Sequence, residues 1–150
     1  MNIKHFMIIS IAFIVIAACA PIPMTGAYTL IGSYPIPSLN VVDQSIIASK
    51  VIIPAANSNG PGWVVIHSNV AGIPGAIIGF APLVNGENLG VEVVIDTLST
   101  TKVLYAMLHK DGGEPGKFEF PGEDGPVFIA GKEVHDAFMV DTSINISDYY

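Results

Sequence analysis

The chain has 150 residues, enough for one domain with a hydrophobic core, and 51% of its residues are hydrophobic. Six lysines face 13 carboxylates, for a net charge of −7, and there is no arginine. Because arginine is the residue that usually binds phosphates and guanine through two parallel hydrogen bonds, this composition argues against nucleic acid as a partner.

The N-terminal segment has the order of a secretory signal. A short region with Lys4 precedes an apolar run at 6–17, and the small residues of IAAC lead to Cys19. The run is shorter than the ~20 residues of a membrane-spanning helix. IAAC is typical of a lipobox, in which the signal is cut before a cysteine that is then lipidated. We predict a signal peptide at 1–18, lipidation of Cys19 and an extracytoplasmic, membrane-anchored location. An ordinary signal or an uncleaved anchor are the alternatives.

Cysteine usage and motifs limit the chemistry. Cys19 is the only cysteine, so an intramolecular disulfide, a Cys–His hydrolase and a blue-copper centre are all excluded. The sequence also lacks G-x-S-x-G, H-E-x-x-H and a phosphate-binding loop. We therefore predict no catalytic residues, with a hydrolase of unrecognised type as the remaining enzymatic alternative.

The segment after Cys19 is rich in proline. Residues 20–40 hold four prolines, two glycines and no charge. Proline fixes the backbone and interrupts strand ladders, so we predict an extended tether at 19–40 and a domain at 41–150.

From residue 41 onward, short apolar runs alternate with turn residues, and no long stretch has the helical period of 3.6. The predicted strands are 46–53, 62–68, 75–82, 89–96, 102–109, 117–120, 126–130 and 133–140. Seven or eight short strands at this spacing predict an all-β fold, an antiparallel β-sandwich of immunoglobulin-like or cupredoxin-like kind.

An acidic, glycine-rich stretch follows the strand at 102–109. It does not have the spacing of an EF-hand, because Gly113, Pro115 and Gly122 occupy positions that need oxygen ligands. Calcium could still bind carboxylates brought together by the fold. Candidate ligands are Asp111, Glu119 and Asp124; the alternative is a solvated acidic connection.

Methionine and histidine recur on two predicted strands. Met107 and His109 share one strand face, and His135 and Met139 share another, because residues separated by an even number of positions lie on the same side. These four side chains are ligands that suit copper(I). The alternative is that methionine fills a core and histidine binds backbone or water.

Several segments together resemble a known family. PGWVVIH (61–67), GIPGAIIGFAPL (72–83), VEVVID (91–96) and LYAMLHKDGGEPGKFEFPGEDGPV (104–127) resemble an uncharacterised secreted β-domain of archaeal and bacterial surface proteins. The resemblance implies a surface-attached β-module and no known activity. We therefore expect a lipid-anchored interaction or structural module with a cell-surface partner, and metal binding as the alternative.

Overall fold

The computed structural model describes residues 35–141, and nearly all of the regular structure there is β-strand. The strands are β1 (Ser38–Asn40), β2 (Gln44–Ser45), β3 (Lys50–Ser58), β4 (Gly62–Val70), β5 (Ile73–Leu83), β6 (Gly86–Val94), β7 (Val103–Lys110), β8 (Phe128–Ile129), β9 (Lys132–Glu133) and β10 (His135–Asp141). One 3₁₀ turn, Thr97–Ser99, is capped by the Asp96 side chain. Within this part of the chain, no helix is long and apolar enough to cross a membrane.

The strands form two main sheets. One has three strands in the order β1-β3-β6, and the other has five in the order β2-β10-β7-β4-β5. All pairs in these sheets are antiparallel except β2 with β10, which is parallel. The small strands β8 and β9 form a separate two-stranded hairpin. The predicted all-β sandwich is confirmed.

The core lies between the two main sheets. Alternate residues of β3 and β6, such as Val51, Ile53 and Val93, face Ile66 and Leu104 of the larger sheet, and all five are fully buried. The strands β4 and β7 are buried along most of their length on both faces. They therefore form the centre of a three-layer arrangement, with the smaller sheet on one side and the loop at 111–127 on the other.

Three details differ from the sequence-based expectations. Residues 117–120 form no strand, although Phe118 and Phe120 alternate with polar neighbours. The predicted strand at 46–53 begins only at Lys50, because a turn with positive φ at Ala48 and Ser49 precedes it. The strand β1 lies within the segment 19–40 that was assigned to the tether, so pairing with β3 starts before residue 41.

Candidate functional site

The outer face of the five-stranded sheet carries polar and aromatic side chains. Successive residues of a strand point to opposite faces, and Val64, Ile66 and Leu108 point into the core. The side chains on the other face are Trp63, Val65 and His67 from β4, and Tyr105, Met107 and His109 from β7. In the ladder, Trp63 pairs with His109, Val65 with Met107, and His67 with Tyr105.

The loop at 111–127 covers part of this face with aromatic rings. Phe118 stacks on Phe80 with ring centroids 4.3 Å apart, and it meets the edge of Trp63 at 5.5 Å. Phe120 contacts the His109 ring edge-on at 5.1 Å. Aromatic pairs at such distances stabilise packing beyond the area they bury. The phenylalanines therefore hold the loop against β4, β5 and β7.

His109 is almost completely buried, with 1% of its surface exposed. Its Nδ1 lies 2.7 Å from the backbone oxygen of Asp124. Since a carbonyl oxygen only accepts hydrogen bonds, Nδ1 must carry a proton. In the neutral ring, Nε2 is then unprotonated and has a free lone pair. Among the described residues Nε2 has no hydrogen-bond partner.

His67 repeats the same arrangement from the neighbouring strand. It is 6% exposed, and its Nδ1 donates to the backbone oxygen of Gly75 at 2.9 Å. Its Nε2 is also buried, and no group in residues 35–141 bonds it. The structure thus presents two buried imidazoles, each fixed at Nδ1 and each with an unused nitrogen.

Both imidazoles are held in the neutral form. Burial lowers the pKa of His67 and outweighs its hydrogen bond to Gly75. Burial likewise lowers the pKa of His109, against the hydrogen bond to Asp124. The Glu133 carboxylate raises the pKa of both rings, but its effect is smaller than that of burial. The neutral ring is the form that binds metals.

The two rings line a common cavity of about 700 Å³. Their centroids are 5.9 Å apart with an interplanar angle of 28°. Along the paired strands, His67 lies four residues from the partner of His109, which is about 13 Å at ~3.3 Å per residue. Because the ring centroids are much closer than this, the two side chains lean toward each other across the pair Val65 and Met107. The other lining residues that carry chemical function are Met107, Glu133 and His135.

The structure brings together three of the four residues predicted for copper. Met107, His109 and His135 line the cavity, and His135 pairs directly with Met107 in the ladder. Met139 instead lines a separate depression beside Lys102, so it is not part of this site.

His67 was missed as a ligand, although its even spacing from Trp63 already put both on one face. The pairing of β4 with β7 was the missing information.

The carboxylates predicted for calcium are occupied by the loop itself. Asp124 accepts hydrogen bonds from backbone N–H groups, including that of Gly112 at 2.9 Å. Glu119 accepts from Glu114 N–H at 2.8 Å, and Asp111 accepts from Gly116 N–H at 2.8 Å. Between residues 35 and 141, no group of three or more His, Cys, Asp or Glu side chains has the arrangement of a metal site. Calcium binding therefore gains no support from these contacts.

The chain is similar to part of a protein of the archaeal cell surface. Over 108 residues it is 26% identical to cell surface glycoprotein 2 of Haloarcula hispanica. The alignment covers 71% of this chain and 12% of that protein, so the chain spans a small part of its relative's length. No solved structure matches the chain. The family model of DUF7282, a domain of unknown function, matches residues 37–141, and the chain therefore belongs to this family.

Proposed function

We propose that this protein is a lipid-anchored module of the cell surface that acts by binding and not by catalysis. The observation that carries the proposal is the order of features along the chain. A signal-like segment ends at Cys19, and a domain that resembles part of a cell surface glycoprotein begins at residue 37. Cys19 and the segments predicted as signal and tether up to residue 34 lie outside the described residues.

The length between the cysteine and the first strand suits an anchor. The segment from Cys19 to Ser38 is free of charge and contains four prolines. A fully extended chain spans about 3.3–3.6 Å per residue, so such a segment would allow the domain to stand up to ~60 Å from a lipid at Cys19.

The geometry of the buried histidines supports binding over hydrolysis. In covalent hydrolysis, a histidine base activates a hydroxyl or thiol nucleophile within hydrogen-bond reach. In residues 35–141 the Nε2 atoms of His67 and His109 have no such partner, and their Nδ1 atoms bond backbone carbonyls, not orienting carboxylates. This arrangement favours a ligand-binding cavity.

Replacement of Cys19 tests the anchor. We expect the wild-type chain, expressed in a host that processes lipoproteins, to enter the detergent phase in detergent–water partition. The mass of its N-terminal peptide should correspond to a lipidated cysteine. Cys19→Ser should move to the aqueous phase or keep its signal, because serine lacks the thiol that accepts the lipid.

The neighbouring variant Thr25→Ser is the matched control and should partition like the wild type. Equal partition of wild type and Cys19→Ser, together with an unmodified cysteine by mass, would contradict the anchor.

A further inference from the structure

We propose that His67 and His109, with Met107 beside them, bind a single copper(I) ion in the cavity on the outer face of the five-stranded sheet. This inference goes beyond the proposed surface function and does not depend on lipidation of Cys19.

The two histidines already have the surroundings of metal ligands. A histidine that binds a metal through one ring nitrogen usually donates the other N–H to a carboxylate or a backbone carbonyl, which fixes the orientation of the ring. His67 and His109 both donate Nδ1–H to backbone oxygens, and both leave Nε2 buried and unbonded by any described residue. A buried polar atom without a partner is costly, and a bound ion would remove that cost.

The separation of the rings fits one ion between them. Their centroids are 5.9 Å apart and their ring planes are 28° from parallel. A metal bound at about 2.0–2.1 Å from Nε2 lies about 3 Å from the ring centroid, so two rings that share one ion can have centroids up to about 6 Å apart. The two imidazoles are therefore close enough to share an ion.

The remaining donors select the metal. Met107 lies between the histidines in the ladder, is 3% exposed, and lines the same cavity. A thioether is a soft ligand that favours copper(I), whereas structural zinc sites are usually four-coordinate and calcium requires six to eight oxygens. The described residues hold no cluster of three histidine, cysteine or carboxylate ligands, so a low-coordinate ion fits best.

The mouth of the cavity carries a third imidazole and a carboxylate. His135 is exposed and pairs with Met107, and Glu133 lies two residues before it on the chain. Both line the cavity. An exposed imidazole next to a carboxylate is suited to receive a cation from solvent and pass it to the buried pair.

The test is an anaerobic titration of the full-length chain in detergent with copper(I), in competition with a chromophoric copper(I) chelator. All proteins carry Cys19→Ser, so that the one thiol of the chain cannot bind copper. We expect one tightly held copper(I) per chain and an increase in melting temperature with copper, because a ligand specific to the folded state stabilises it. X-ray absorption should show two imidazoles and one sulfur around the ion.

Single substitutions assign the ligands. His67→Gln and His109→Gln should each weaken copper(I) binding by at least ~100-fold, because loss of a ligand exceeds the 10–100-fold cost of losing an outer partner. Met107→Leu conserves volume and should remove the sulfur signal in the absorption spectrum. The matched control Met139→Leu changes the methionine outside the cavity and should bind copper like the parent.

The parent protein alone can overturn the proposal, even if a histidine variant fails to fold. The proposal is overturned if the parent does not bind one copper per chain at concentrations at which the chelator releases copper. It is also overturned if the X-ray absorption spectrum shows no imidazole ligand. Equal copper affinities in Met139→Leu and in both folded histidine variants would also contradict the site. A folded parent that retains zinc but not copper would contradict the choice of metal.

Discussion

Asp124 stabilises the loop at 111–127 through both its side chain and its backbone. The carboxylate is fully buried and accepts backbone hydrogen bonds from Gly112 and Glu119 at 2.9 and 2.8 Å. Its backbone oxygen fixes the ring of His109. Burial alone would raise the pKa of Asp124, but these N–H groups outweigh it, and the pKa lies below its usual value. The side chain is thus charged at neutral pH.

Asp124→Asn should therefore destabilise the fold. Asparagine keeps the shape of the side chain but presents an NH₂ group to one of the backbone N–H donors. The protein then loses a hydrogen bond to a charged group, and a buried donor is left without a partner. Such a loss costs about 2–3 kcal/mol, which urea denaturation at pH 7 would measure. Asp136→Asn is the control. Within the part of the chain that the structure describes, its exposed carboxylate bonds only the next N–H, so a change within about 0.5 kcal/mol is expected. Equal losses in the two variants would contradict this role.

The same residue predicts a dependence on pH. The pKa of Asp124 is lower in the folded protein than in the unfolded chain, so acidification adds the proton to the unfolded chain first. The stabilising contribution of Asp124 is complete above the pKa of the unfolded chain, about 3.9, and is lost as the pH falls through the pKa of the folded protein. The free energy of unfolding of the wild type should thus fall more steeply below pH 5 than that of Asp124→Asn. Parallel curves would rule this out.

At the scale of the strands, β5 meets the end of β6 at a position that only glycine fits. Gly79 forms a bridge with Ile95, which follows β6, and this contact joins the five-stranded sheet to the three-stranded one. A Cβ atom at Gly79 would clash with the backbone oxygen of Val94 and would approach the Cγ2 of Ile95 to 2.9 Å. The two backbones can be this close because no side chain separates them.

Gly79→Ala should therefore push the two strands apart. Overpacking of this kind costs about 1–3 kcal/mol, which should appear as a lower melting temperature in circular dichroism. Gly60→Ala is the matched control, because a Cβ there meets nothing within 4 Å. Melting temperatures that fall by the same amount in both variants would show that the close approach at Gly79 is unimportant.

The strands were predictable where hydrophobic runs were long, as in β4, β5 and β7. The alternation of Phe118 and Phe120 was misleading, because both rings pack against the outer face of the sheet while their backbone joins no ladder. The short strand β1 was missed, since three residues in a proline-rich segment show no local pattern and form a strand only through pairing with β3. Local sequence shows hydrophobic periodicity, but it does not show the partner of a strand.

At the scale of the whole molecule, the arrangement in three layers determines where the histidine pair lies. The rings rise from β7, the middle strand of the larger sheet, and from its neighbour β4, and Phe120 of the loop at 111–127 packs against the His109 ring. Sequence spacing predicted that Met107 and His109 share a face, but the meeting of His67 with His109 required the register between two strands about forty residues apart in the chain. Sites on paired strands are held more rigidly than sites on loops.

The parallel pair of β2 with β10 joins the two ends of the described chain. The Met139 N–H donates to the Asp43 carboxylate across 96 residues of sequence, and β10 is the neighbour of both β2 and β7. Synthesis starts at the N terminus, so β2 is made well before β10. Contacts between such distant positions form slowly, and until they form β7 presents an open sheet edge to other chains. Aggregation through the β7 edge is therefore favoured in the interval after β7 has been made and before β10 pairs with it.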